Sequence, residues 1–127
     1  MKTCHLLAAM LVLLPGAAAA QRMSKITGKQ LLASCSASQF SSAKVENCEA
    51  YLDGVADTFA GFMKFGPKDA HGKSLAAVIC IPPEVTAKSL RLDVIRGLQD
   101  HPELQSRLAV EAVQRILRQA YPCGQGE

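Results

Sequence analysis

The sequence predicts a small all-α domain: four helices, stapled by disulfides, ending in an antiparallel helical hairpin. Three observations carry that expectation. Apolar residues recur at alternating steps of three and four from Val45 to Phe62. They recur at steps of four from Leu104 to Ala120. Four cysteines remain once an N-terminal export signal is set aside.

That signal is the opening stretch "MKTCHLLAAMLVLLPGAAAA". Lys2 gives a basic start, Leu6 to Leu14 an apolar run, and Pro15-Gly16 a break before an alanine tract. Ala18 and Ala20 supply the small residues a signal peptidase needs, so cleavage is expected after Ala20. The apolar run falls well short of the roughly 20 residues a membrane-spanning helix needs. Residues 1–20 are therefore expected to leave, taking Cys4 with them, and residues 21–127 to form one soluble exported domain. That portion carries 13 basic and 11 acidic side chains, a net charge of +2. The charges are interspersed, which speaks against nucleic acid or an anionic membrane as a partner. With no Trp, two Tyr and four Phe, the core must be mostly aliphatic.

The first helix is expected over about 27–36, with Thr27 as N-cap and Leu31, Leu32 and Cys35 on one face. "SASQFSS" reads as a polar link. The second helix carries Val45, Cys48, Leu52, Val55, Phe59, Phe62 and Met63 as a buried stripe, with Ser42 as its cap. It should stop near Phe65-Gly66-Pro67. "LAAVICIPP", 75–83, fits either a buried extended piece or another helical turn. The third helix is placed at about 87–99, capped by Thr86, with Leu90, Val94, Ile95 and Leu98 inward. "DHPE" reads as a tight joint, with Pro102 suited to the first helical position and Glu103 to the positive end of the helix dipole. The fourth helix, about 102–120, lays Leu104, Leu108, Ala112, Ile116 and Ala120 along one stripe. A joint this short requires helices three and four to lie antiparallel.

Cys35, Cys48, Cys80 and Cys123 are an even set in a small exported chain, which argues for two disulfides. Three pairings are open. Geometry favours Cys35–Cys48 across the short link and Cys80–Cys123 across the mouth of the hairpin. Gaps of 13, 32 and 43 residues lack the close ligand pairs of a zinc site. A free catalytic thiol would be oxidised in such a compartment.

Catalytic chemistry finds no foothold. His71 lies in a polar loop and His101 in the helix joint, neither beside a nucleophile. No phosphate-binding Gly-rich loop, His-Glu-x-x-His or Gly-x-Ser-x-Gly is present. Tyr51, Gly54 and Asp57 follow one another at steps of three beside the second helix's stripe. They can form a polar pocket, but they fit better as structure: Gly54 admitting a neighbouring backbone, Tyr51 and Asp57 bonding to a neighbouring segment or capping a helix end. The expectation is a binding module, not an enzyme, with no cofactor and no metal.

The order of motifs then resembles a known family. Gly28-x-x-Leu31-Leu32-x-x-Cys35 is followed by Cys48-x-x-Tyr51-x-x-Gly54-x-x-Asp57, then Cys80-Ile-Pro with Val85-Thr86, Leu98-x-x-His101-Pro102-Glu103, and Ala120-Tyr121-Pro122-Cys123. Over about 28–123 this is similar to the Rap/Tai family of immunity proteins. The resemblance implies a periplasmic helical protein that binds a peptidoglycan-cleaving amidase effector of type VI secretion and blocks its cleft. It allows a homodimer. The motif positions, the four cysteines with Tyr51, Gly54, Asp57, His101, Pro102, Glu103 and Tyr121, are scaffold and name no effector contact. For that contact the residues point to the protruding basic loop: Phe65 as an aromatic anchor, with Lys64, Lys68, His71 and Lys73 around it. A periplasmic acid-stress chaperone, or another small helical binding protein such as a lipid carrier, is the rival reading.

Overall fold

A computed structural model describes residues 24–38, 41–72, 74 and 78–124. The expected signal segment, and Lys73 of the basic loop, lie outside them. Among the described residues the elements are α1 (Gly28–Cys35), α2 (Ser42–Phe65), α3 (Ala87–Asp100), a 3-10 turn (Pro102–Ser106) and α4 (Ala109–Ala120). The fold is all-helical, and Cys35 is bonded to Cys48 and Cys80 to Cys123.

Each helix starts or stops for a local reason. Thr27 caps α1 through a full capping box: its hydroxyl accepts from Gln30 N, and the Gln30 side chain accepts from Thr27 N at 2.9 Å. Thr86 caps α3 by accepting from Ser89 N. At α2 the cap position is Ser41, which makes no side-chain cap bond, and Ser42, the expected cap, is the first helical residue. Gly66 ends α2. A Cβ there would fall 2.3 Å from the Phe62 carbonyl oxygen, so only glycine fits.

The core lies where α1, the first half of α2, α3 and α4 converge. Leu31, Leu52, Leu90, Val94, Leu98, Val113 and Leu117 are fully or almost fully buried there, with both sulfurs of the Cys35–Cys48 bond. At about 25 cal/mol per Å² of apolar surface removed from water, this mostly aliphatic cluster is the main stabilising term. Helices α3 and α4 run antiparallel: the Tyr121 hydroxyl donates to the Asp93 carboxylate at one end, and Gly97 lies against Ile116 further along. The Cys80–Cys123 bond ties the mouth of that hairpin. Closing its 43-residue loop stabilises by about 4 kcal/mol, and the 13-residue loop of Cys35–Cys48 by about 3.

The expected fourth helix needs correcting. It begins at Ala109, not 102. Pro102 does open a turn, but only a 3-10 turn, and Arg107 is extended. The cause is tertiary. Thr27 and Leu108 pair as an antiparallel bridge, Gly28 N donates to Arg107 O and Ala109 N to Ile26 O. Those bonds take up backbone groups a continuous helix would have used. Leu108 consequently turns outward, 37 % exposed, while Leu104 stays buried. Ala120, expected to close the stripe, is also exposed.

A second correction falls on α2. Its stripe is buried at Cys48, Leu52 and Phe59, but Phe62 is 49 % and Met63 37 % exposed. At 1.5 Å per residue α2 is about 36 Å long against about 21 Å for α3, so its last turns outrun the bundle. The apolar period continues past the point where there is anything to bury it against.

Candidate functional site

The overhanging half of α2 organises the uncovered surface of the molecule. At its tip Phe65 is 80 % exposed, with the Lys64 ammonium 5.3 Å from the ring centroid. The loop after it folds back onto the helix end. Lys68 Nζ donates to the Met63 carbonyl and Ser74 Oγ to the Phe62 carbonyl at 3.2 Å, while Lys68 and Ser74 pair as a bridge. The Lys68 bond satisfies a carbonyl that the helix C-terminus otherwise leaves open, the Ser74 bond adds to the Phe62 carbonyl that already accepts from Gly66 N, and the ammonium opposes the negative end of the dipole. The turn of the loop is closed by Asp69, whose carboxylate accepts from His71 N at 2.8 Å, and by Gly72 at φ +79°.

The basic side chains expected to face a partner are thus divided. Lys64 and Phe65 project from the tip, and the His71 side chain is exposed. Lys68 is spent on the helix end.

Between the second half of α2 and the segment 79–85 runs a half-open groove of about 620 Å³. Its floor holds Phe59, Ile79 and Leu90, its far wall Ile81 and Pro82, and the α2 side of its rim Asp53 and Asp57. The far wall is extended, which decides the reading of this segment over residues 78–83. Ile79 bridges to Pro122, and Cys80 N donates to Tyr121 O at 2.9 Å. The Cys80–Cys123 bond therefore anchors one wall of the groove to the end of α4. Met63 Sδ touches Cys80 Sγ at 3.3 Å and closes one end.

The motif residues serve the frame unequally. Tyr51 is half-buried against the core, and burial raises its pKa. Tyr121 is pushed up to about 12, by burial first and then by its hydrogen bond and charge contact with Asp93. His101 Nδ1 lies 3.4 Å from Glu103 Oε1 at the turn that Pro102 begins. The structure corrects the role expected for Gly54: a Cβ there would meet nothing within 4 Å, so no backbone approaches it, and its carbonyl accepts from Thr58 Oγ1. Among the described residues Asp57 bonds to no neighbouring segment, and it stands on the groove rim.

Sequence reasoning missed Arg91. Its Nε lies 3.0 Å from Glu49 Oε1 and its Nη1 donates to the Cys35 carbonyl at 3.1 Å, so one guanidinium joins α1, α2 and α3. Its partners sit on other helices, and no local spacing marks such a residue. The groove was equally illegible, because its far wall is placed by a disulfide.

Among the described residues no cluster of His, Cys, Asp or Glu could hold a metal ion, and no helix is long and apolar enough to cross a membrane. A two-disulfide helical frame with an uncovered apolar edge is the architecture of a small protein-binding domain. The chain belongs to the Rap1a immunity protein family, whose model matches residues 27–123. That span runs from the cap of α1 to the last bonded cysteine. No curated protein and no solved structure matches the chain. Membership points to an immunity protein, one that works by binding an effector protein.

Proposed function

We propose that this chain is a periplasmic immunity protein that binds and inhibits a peptidoglycan-cleaving amidase effector delivered by type VI secretion. The observation that carries the reading is the family match across the whole helical frame. The leader-like residues 1–20 and the two disulfides suit an exported, oxidising compartment. Inhibition of this kind is steric: a preorganised domain occupies a cleft and performs no reaction, so little ordering cost opposes binding. The effector contact is assigned to the tip of α2 and its loop, with Phe65 entering the partner and Lys64 and His71 beside it. A ring of this kind buries about 150–250 Å² when covered, enough for a dominant contact.

The test is inhibition of a type VI cell-wall amidase, followed by release of peptidoglycan fragments as the protein is added. Wild type should abolish release at stoichiometric ratio, and deleting the gene should sensitise cells to effector-bearing neighbours. Phe65→Ala should weaken inhibition by a factor of about 30, the effect of losing a hot spot of about 2 kcal/mol. If no cell-wall hydrolase binds and the deletion has no phenotype, the proposal fails.

A further inference from the structure

We infer that the groove between the second half of α2 and the segment 79–85 seats a basic amphipathic segment of the effector. This rests on the immunity reading and concerns a surface that adjoins the tip of α2. The floor and far wall are apolar, so an occupant gains by placing apolar side chains on Phe59, Ile79, Ile81 and Pro82. From Asp53 to Met63 the helix side of the groove runs about 15 Å, the length of roughly three helical turns of a partner.

The rim chooses the partner's charge. Asp53 and Asp57 stand one helical turn apart on α2, where like charges oppose each other. Neither has a hydrogen-bond or ion-pair partner among the described residues. Other carboxylates divide: Glu49 has Arg91, Asp93 has Arg96, Glu103 has His101 and Glu111 has Arg107 and Arg115, while Glu46, Glu84 and Asp100 have none among the described residues; what sets Asp53 and Asp57 apart is that they flank an apolar floor. Among the described residues no cation lines the groove. A Lys or Arg of the partner, set beside apolar residues, answers both the rim and the floor. Toward the tip the sign reverses, because Lys64 projects there. The partner strip should therefore read basic opposite Asp53 and Asp57 and acidic opposite Lys64, which fixes the direction in which it lies.

Two arms test this. In the first, the oxidised chain is titrated with a synthetic helical peptide carrying leucines on one face and flanking lysines, and with a twin in which glutamates replace the lysines. Fluorescence anisotropy should show the lysine peptide binding about tenfold tighter, a difference of about 1.4 kcal/mol shared by two exposed rim charges. D53N/D57N should erase that preference, and A60W, at an exposed position on the groove wall, should block both peptides. Unchanged helical circular dichroism establishes that the variants fold. Equal affinity for both peptides, or binding indifferent to both variants, overturns the inference.

In the second arm the amidase is titrated with the same variants. Weakened inhibition by D53N/D57N, more marked at low salt, supports the groove as its seat. Full inhibition by both variants overturns it. If wild type binds no amidase while peptide selectivity stands, the groove chemistry is supported and the amidase reading falls. If wild type is a dimer that A60W dissociates, the occupant is a second copy and the inference is overturned.

Discussion

Gly28 and Gly54 stand on neighbouring helices and meet opposite surroundings. A Cβ on Gly28 would lie 2.4 Å from the Leu104 carbonyl oxygen, and one on Gly97 2.7 Å from the Ile116 side chain. At Gly54 and Gly61 on α2 it would meet nothing within 4 Å. The first pair belongs to the end of the molecule where four helices converge, and glycine there allows the close approach. The second pair lies on the helix that overhangs. One end of the protein is over-determined by mutual contact. The other is held by its own helical bonds, a returned loop and one disulfide, and keeps apolar surface uncovered. Contiguous uncovered apolar surface is where protein partners bind, so the contrast separates frame from working edge.

The largest effect expected is on the staple that joins the two regions. Replacing Cys80 and Cys123 together by serine should lower stability by about 4 kcal/mol, read from denaturant unfolding under oxidising conditions. Hydrogen exchange should rise first at 79–85, the groove wall, and last in α3 and α4. An unchanged midpoint would mean that the packed end needs no such tie.

The glycines give the next test, and it turns on sign. Gly28→Ala should cost about 1–3 kcal/mol, because a backbone carbonyl must move, although alanine is the better helix former. Gly54→Ala should raise stability by about 0.5–1 kcal/mol, since only helix propensity is at stake. If both substitutions moved the midpoint in the same direction, the distinction between the two regions would be lost.

The smallest effect concerns alkali. The folded state raises the Tyr121 pKa from 10.0 to about 12, so it favours the neutral phenol. The stability this contributes is complete below pH 10 and is lost as the pH rises through 10 toward 12. Tyrosinate absorbance should show one of the two tyrosines titrating near 12, and Tyr121→Phe should flatten the alkaline decline. A Tyr121 that titrates at its ordinary value would remove Asp93 and burial as constraints on the α3–α4 contact.

Much of the helical frame was legible because its signals are local. The Thr27 and Thr86 caps, the stop at Gly66 and the inner face of α3 follow from hydrogen-bonding groups a few residues apart. The start of α4 was not, since Leu104 and Leu108 fit the helical period and only the pairing of Thr27 with Leu108 breaks it. Periodicity likewise assigned Phe62 and Met63 to a core. It reports which face of a helix is apolar, not how far along that face a neighbour extends. Asp57 was legible as a polar position beside the stripe, but that it shares a groove rim with Asp53 depends on the segment 79–85 lying opposite.

The sequence by itself determined the helices, most of their ends, the cysteines available to staple them and the family. Tertiary structure alone decided where α4 begins, which half of α2 is covered, and that an apolar groove with unpaired carboxylates exists. The physical reason is range. Capping and amphipathic spacing act over three or four residues, whereas a groove is a relation between separate surfaces, one of which is held in place by a bond from Cys80 to Cys123, 43 residues on.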